Sequence, residues 1–447
     1  MRTAATSALL LGLTALAGGC TPVWVAVEPS PLPAGTVVAC PTDDTVVKLL
    51  GFLADGKQLV LHTGPQKVWV FDTRTGRAEM QIPAGEVRYL PGGKFACNRY
   101  FPKEDRSGFR GISVGVWDLS SPYEKCILEY FTRPPLGIFA LSDDGACLAL
   151  GSYNQIVLFD GRSGLPTGLL KTDGELSPTA FSPDGKLLVT CGEGGLQLWD
   201  VSAGRIVRSI SMAEFGAGFV SITVVCFSAS GKTLVVREAH RLPTPPGYKG
   251  LMRVAYSTIL YEVATGKCLF RTPPGEHWGG AISEDRSTLI VPAGELMESR
   301  LLLYDLDTGT QRCSISASGE FVTAGEWLAA HVPSMSREGR KFALWNMRTG
   351  QKLSEIVVHS NWQLRALSGD GRLLCLENGW AMCLMDMKGN RKLLELHSGR
   401  RKGWPPCVAK EALFSPNGRK LAITIDGRAF VIDLERVAGA VGENRPN

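Results

Sequence analysis

Several features that would assign this 447-residue chain to a protein class at once are missing. It has no internal run of about 18 apolar residues, which excludes a polytopic membrane protein built from helices. Charged residues make up only 20% of the chain, too few for a solvated coiled coil, while 44% apolar residues suffice for a core and exclude a disordered chain. The formal net charge of +5 is too small by itself to indicate nucleic-acid binding.

Motifs of catalysis and metal binding are also missing. The chain contains no GxSxG elbow, P-loop or HExxH sequence, and none of its six histidines forms a pair with short ligand spacing. Its 12 cysteines show neither CxxC nor zinc-finger spacing, and most lie in apolar strand-like runs, as Cys191 and Cys375 do. We therefore expect no metal and no cofactor, and we interpret the cysteines as small buried apolar residues.

The first 19 residues have the composition of an export signal: a charged start, an apolar stretch from Ala8 to Ala17, and small residues before Cys20. This end resembles the lipobox of bacterial lipoproteins, which implies acylation of Cys20 and a lipid-anchored place at the bacterial cell envelope, periplasmic or surface-facing. Ala17 stands where the lipobox usually has Leu, so cleavage without lipid stays an alternative. Residues 20–34 are rich in proline and are expected to form a tether.

A repeated unit fills most of the remaining chain. Its clearest copy has a turn sequence at Ser182–Lys186, apolar strand-like runs, and a Trp-Asp pair at the end of a strand. The corresponding strand ends of nine units are Phe71-Asp72, Trp117-Asp118, Phe159-Asp160, Trp199-Asp200, Tyr261-Glu262, Tyr304-Asp305, Trp345-Asn346, Met385-Asp386 and Ile432-Asp433. They recur every 40 to 62 residues, which is typical of four-stranded propeller blades. We interpret these positions, including Trp117, Trp199 and Trp345, as structural.

With this order and period, the chain from about Thr36 to Val437 resembles WD40-repeat proteins. The resemblance implies an all-β fold: a single closed β-propeller of four-stranded antiparallel blades over residues 35–438, followed by a tail at 439–447. Nine units leave eight or nine blades open. A strand at Gly35–Cys40 is expected to close the ring by pairing with Arg428–Leu434. Because the family's polar tetrad is largely missing, apolar packing between blades is expected to carry most of the stability.

Loop lengths predict a binding surface. If each blade has strands a, b, c and d from inside to outside, the a–b and c–d turns lie on one face, the short-turn face, and are short in nearly every unit. The b–c and d–a connections lie on the opposite, long-loop face and are long at Asn98–Gly111, Glu238–Ala255, Val332–Lys341 and His397–Ala412. These segments carry an excess charge of +9, and aromatic residues lie in or beside them. The long-loop face is therefore the predicted binding surface.

The candidate binding residues are cations and aromatics: Arg99, Tyr100, Lys103, Arg106, Phe109, Arg110, Arg241, Tyr248, Lys249, Arg253, Trp278, Arg337, Arg340, Trp362, Arg400, Arg401, Lys402 and Trp404. They predict a non-catalytic scaffold, expected to be a monomer, that binds a protein or an anionic polymer and not nucleic acid. Two alternatives stay open. In one, the loops are ordinary solvated segments; in the other, the chain is a propeller enzyme (a hydrolase, a lyase or a quinoprotein-like oxidoreductase) with a site at the channel mouth.

Overall fold

The structure is a computed structural model that describes most of the chain between residues 32 and 437. The described ranges are 32–33, 36–38, 46–53, 56–63, 67–83, 87–90, 94–102, 109–118, 126–130, 139–152, 154–172, 174, 176–192, 194–211, 219–242, 253–275, 280–294, 299–333, 339–358, 362–379, 381–397, 411–425 and 428–437. Within these ranges, no helix has the length and apolarity that crossing a bilayer requires.

The described chain is built almost entirely from β-strands. In chain order they are β1 (Val37–Val38), β2 (Val46–Leu53), β3 (Gln58–Thr63), β4 (Lys67–Asp72), β5 (Ala78–Pro83), β6 (Val87–Leu90), β7 (Lys94–Pro102), β8 (Phe109–Asp118), β9 (Cys126–Tyr130), β10 (Phe139–Leu141), β11 (Cys147–Ser152), β12 (Gln155–Asp160), β13 (Pro166–Lys171), β14 (Leu176–Phe181), β15 (Leu187–Gly192), β16 (Gly195–Asp200), β17 (Arg205–Ser211), β18 (Phe219–Phe227), β19 (Thr233–Arg241), β20 (Val254–Glu262), β21 (Cys268–Arg271), β22 (Ala281–Ile282), β23 (Thr288–Ala293), β24 (Arg300–Asp305), β25 (Gln311–Ile315), β26 (Phe321–Ala324), β27 (Trp327–Val332), β28 (Arg340–Asn346), β29 (Lys352–Val358), β30 (Gln363–Leu367), β31 (Leu373–Glu377), β32 (Ala381–Asp386), β33 (Arg391–His397), β34 (Ala412–Phe414), β35 (Lys420–Ile425) and β36 (Arg428–Asp433).

Hydrogen bonds group these strands into nine four-stranded antiparallel sheets. Eight of them are consecutive in the chain and are numbered as blades: blade 1 (β2–β5), blade 2 (β6–β9), blade 3 (β10–β13), blade 4 (β14–β17), blade 5 (β18–β21), blade 6 (β22–β25), blade 7 (β26–β29) and blade 8 (β30–β33). Blade 9 contains β34, β35 and β36 with β1 as its fourth strand. The propeller prediction is confirmed, and the choice between eight and nine blades falls on nine.

Pairing of β1 with β36 completes the last blade from the other end of the chain. Val37 lies opposite Val431 and Val38 lies opposite Phe430, within the two segments that were expected to pair. Blades 9 and 1 then share one apolar cluster, in which Leu61 packs with Ala422 and other buried residues. Pairing covers a sheet edge that would otherwise be exposed.

Burial explains why these residues form strands. The second strand of a blade lies between two neighbouring sheets, so both of its faces are covered, and Leu59, Val60 and Leu61 in β3 are all fully buried. The outer strand is largely exposed, as in β13 and β17. Buried apolar clusters also span the contacts between blades, for example between blades 4 and 5 and between blades 7 and 8. These clusters agree with the expected dominance of apolar packing.

Candidate interaction face

The a–b turns of blades 3, 4, 6, 8 and 9, on the short-turn face, are closed by hydrogen bonds within each turn. In blade 4, the Ser182 hydroxyl donates to Asp184 at 2.6 Å and accepts from the Leu187 amide at 2.9 Å. Gly185 adopts a positive φ of 70°, which a residue without a Cβ accepts readily. The same serine-centred arrangement recurs in blades 3, 6, 8 and 9. The recurring turn motif therefore satisfies its own polar groups.

The acid at the end of strand c closes the c–d turn in the same way. Asp200 accepts hydrogen bonds from the Ala203 amide at 2.8 Å and the Ser202 hydroxyl at 2.7 Å. These bonds hold the pKa of Asp200 below its ordinary value, the amide of Ala203 having the largest effect. Asn346 makes the equivalent amide contacts in blade 7 without a charge. The recurring acids are thus turn caps, and their hydrogen bonds are made within the fold.

Strands β7 and β8 of blade 2 extend into a segment that was predicted to be a loop. The predicted b–c loop at Asn98–Gly111 is wrong at both ends, because β7 and β8 continue as a ladder in which Arg99 lies opposite Ser113 and Tyr100 lies opposite Ile112. Phe109 and Arg110 likewise belong to β8, so Arg99, Tyr100, Phe109 and Arg110 are strand residues. A strand in which polar and apolar residues alternate can carry as many charged residues as a loop. A count of charged residues therefore does not distinguish the two.

Most other candidate residues fall outside the described part of the chain. These are Lys103, Arg106, Tyr248, Lys249, Trp278, Arg337, Arg400, Arg401, Lys402 and Trp404, and Cys20 lies outside it as well. The strands on either side still fix which face each connection joins: residues 103–108 link b to c in blade 2, and residues 398–410 link d of blade 8 to a of blade 9. Their binding role and the acylation of Cys20 stay predictions.

Arg340 and Trp362 are brought together, but for a structural purpose. The Arg340 guanidinium donates to the Trp362 carbonyl at 2.6 Å and to the Glu320 carboxylate at 2.8 Å. Glu320 also accepts from the Leu364 amide at 2.9 Å, which ties blade 7 to the first strand of blade 8. Trp362 is only 6% exposed. In this structure, neither residue is a free anchor for a partner. Glu320 holds this contact together, and it is not among the candidate residues because those are cations and aromatics.

Cross-strand partners also reduce the charge excess of the long-loop face. Arg340 pairs with Glu320, and Lys341 lies 3.8 Å from Glu355, so two of the counted cations have acids outside the counted segments. In the opposite direction, the counted acid Glu238 is buried and accepts from Arg271 at 2.5 Å, which offsets one of these two losses. The excess of +9 is therefore an upper value, because counting along the sequence cannot include partners on neighbouring strands.

A cavity of about 740 Å³ follows the central channel. The first strands of blades 1, 7, 8 and 9 line it, with apolar side chains such as Phe52, Val322 and Phe414 and one cation, Arg365. Arg365 donates to the carboxylate of Glu377, which is 4% exposed, so its charge is compensated inside the fold. The described lining offers an apolar surface and no cluster of unpaired acids or bases.

The described residues contain little that could perform chemistry. No group of three or more His, Cys, Asp or Glu side chains among them could hold a metal ion. The described cysteines are free thiols, and burial raises the pKa of Cys226 to about 11 and that of Cys383 to about 12. A thiol with so high a pKa is almost fully protonated near neutral pH and is a poor nucleophile.

Part of the tetrad typical of WD40 repeats is present in blade 4, where the indole Nε1 of Trp199 donates to the Thr190 hydroxyl at 3.1 Å. Together with the nine four-stranded sheets and the repeated turns, this bond decides the fold type. The chain has a WD40-type β-propeller fold. No family model matches it.

Comparison with known proteins finds distant similarity. The U3 small nucleolar RNA-associated protein 15 homolog of Gallus gallus is 24% identical over 217 residues, which cover 47% of this chain and 40% of that protein. The Periodic tryptophan protein 2 homolog of Dictyostelium discoideum is 25% identical over 244 residues, covering 52% and 24%. The chain thus spans less than half the length of these relatives. The solved C-terminal WD40 domain of Sif2 is 11% identical and covers 92% of this chain and 99% of its own, with a TM-score of 0.43.

These relatives correct one expectation. The bacterial cell-envelope location is wrong, because the curated relatives are eukaryotic proteins, and several are named for association with U3 small nucleolar RNA.

Proposed function

We propose that this protein is a non-catalytic interaction scaffold that binds an acidic segment of another protein through its long-loop face. One observation carries the proposal: the two faces of the disc are built differently. Most of the described turns on the short-turn face make the same internal hydrogen bonds, as at Ser182 and Asp200. The connections of the opposite face differ in length and sequence from blade to blade. Variable loops on a rigid framework are where proteins usually place recognition.

The described charges support an acidic partner. Arg241 and Arg253 are exposed at the ends of β19 and β20, where the b–c connection of blade 5 leaves the sheet. The connections of blades 2, 5 and 7 and the one between blades 8 and 9 add the remaining candidate cations. Cations on an exposed rim favour an acidic partner mainly by raising the rate of association.

The test is pull-down with an acidic peptide library and with the chain carrying charge reversals at Arg400, Arg401 and Lys402 together with Arg106 and Arg110. We expect binding to fall at least tenfold and to weaken as salt increases. A matched variant reverses five exposed cations in or beside c–d turns of the other face, so that the total charge changes equally, and should bind normally: Arg74, Arg77, Arg162, Lys267 and Lys388.

Equal loss in both variants would mean that total charge, and not the face, determines binding. Retained binding after reversal of all five loop cations would contradict the proposal. Heparin, an anionic polymer, is tested in parallel: if it binds and no peptide does, the partner class is wrong.

A further inference from the structure

The a–b turn of blade 6 contains an arginine at the position where other blades have glycine. Arg286 has a φ of 54°. This left-handed region is disfavoured for residues with a Cβ, and single occurrences often coincide with a function of the side chain. The equivalent described positions of blades 3, 4, 5, 8 and 9 are Gly145, Gly185, Gly231, Gly371 and Gly418, all with positive φ. The fold therefore accepts glycine here, and the arginine needs a separate reason.

The side chain of Arg286 provides that reason, since its guanidinium donates to the carboxylate of Asp143 in the a–b turn of blade 3. Two whole blades, 4 and 5, separate these turns in the ring. The turn position of Asp143 has no fixed residue type, since the other blades have Pro183, Ala229, Glu284, Gly369 and Pro416 there. Both charged side chains are about 30% exposed, so the pair is only partly screened by water.

Neighbouring contacts place this pair at the short-turn mouth of the channel. The carbonyl of Arg286 accepts from the Ala229 amide in the turn of blade 5 at 3.0 Å. Cys226, which precedes that turn, has its pKa raised by burial, and the charges of Arg286 and Asp143 add smaller opposing effects, as expected if both lie nearby. Among described residues, the lining of the 740 Å³ cavity comes from the first strands and a–b turns of blades 1 and 7–9 and from Glu284, so the cavity reaches the turn that carries Arg286 and extends away from blade 3.

We propose that the Arg286–Asp143 ion pair is a strut that joins blades 6 and 3 across the short-turn mouth and confines the open channel to the side of blades 1 and 7–9. The strut is a conformational device: releasing one ion pair lets the turns of blades 3 to 6 separate and widens the mouth. The strut explains why Arg286 stands where other blades have glycine. It also explains why Asp143 stands at a turn position where two other blades have proline.

Hydrogen exchange of the full chain tests the strut, with Arg286→Gly and Asp143→Ala as variants. Each substitution should accelerate amide exchange in the blade that was not mutated: Arg286→Gly in Phe139–Leu141 of blade 3, and Asp143→Ala in Ala281–Ile282 of blade 6. Loss of an ion pair whose partners are about 30% exposed predicts an increase of about 2- to 5-fold. Alanine fits the Asp143 position, since blade 5 has Ala229 there.

Two further variants make the result decisive. The double variant Asp143→Arg with Arg286→Asp restores a pair of opposite charges and should return exchange toward the wild-type rate. Asn390→Gly removes the other described non-glycine residue with positive φ, 45°, and should leave blades 3 and 6 unchanged. If Arg286→Gly leaves exchange in blade 3 unchanged and only raises the melting temperature, the arginine is merely tolerated in its turn and the strut is overturned.

Discussion

Glu320 gives the sharpest test of how the blades are joined, through the variant Glu320→Ala. This change removes the acceptor of the Leu364 amide at 2.9 Å and the partner of Arg340 at 2.8 Å. A hydrogen bond to a charged group contributes about 1.5–3 kcal/mol. The ion pair adds at most about 1 kcal/mol, because both side chains are near 30% exposed. We expect a loss of about 2 to 3 kcal/mol, concentrated at the contact between blades 7 and 8.

The assay is amide exchange in β30, which reports local opening without requiring the nine blades to unfold together. The expected loss corresponds to exchange about 30- to 150-fold faster. Glu320→Gln keeps an acceptor for the amide and should lie between the variant and the wild type. Glu326→Ala is the matched control, since this exposed acid of the same blade contacts only the side chain of Asn346 among the interactions described, at 3.1 Å. Equal rates in Glu320→Ala and Glu326→Ala would refute the reasoning.

Three further predictions concern a tetrad bond, a turn cap and the thiols. Trp199→Phe removes the 3.1 Å bond to Thr190 while keeping an aromatic ring, and should lower the free energy of unfolding by about 1 to 2 kcal/mol, as a denaturant midpoint would show. The pKa of Asp200 is lowered in the fold, chiefly by a backbone hydrogen bond in its own turn, so its stabilisation is present above the ordinary value of 3.8 and is lost as pH falls through the lower folded pKa. Melting temperature should therefore drop below pH 4, and Asp200→Asn should reduce that slope; an unchanged slope would contradict the cap. Among the seven cysteines whose side chains the structure describes, a maleimide at pH 7.5 should modify exposed Cys268 first and buried Cys383 only on unfolding, as peptide mass analysis would reveal.

Local and periodic features of the fold were predictable from the sequence. The turn at Ser182–Lys186 and the acid at Asp200 make hydrogen bonds to residues no more than five positions away, so their pattern repeats visibly along the chain. Even the pairing of β1 with β36 could be predicted, because the last unit lacked a fourth strand and a spare strand preceded the first unit.

Contacts between blades were not predictable in this way. Arg340 and Trp362 are 22 residues apart, and Arg286 and Asp143 are 143 apart, so no period of the sequence relates them. Trp362 is predicted as an aromatic anchor because it lies beside a connection between strands, yet its side chain is buried. Position in a loop predicts the face of the disc on which a residue lies and leaves open whether its side chain turns outward or packs between blades.

The strand pair that completes blade 9 has a consequence for biosynthesis. Val38 and Phe430 are hydrogen-bonded neighbours separated by about 390 residues, so β1 has no partner strand until nearly the whole chain has been made. At roughly 5–20 residues per second, that delay is about 20 to 80 s. During it the apolar face of blade 1 that later packs against Ala422 is uncovered. The nascent chain is therefore most vulnerable to aggregation at the seam between its first and last blades, and a chaperone that protected this seam would protect the whole ring.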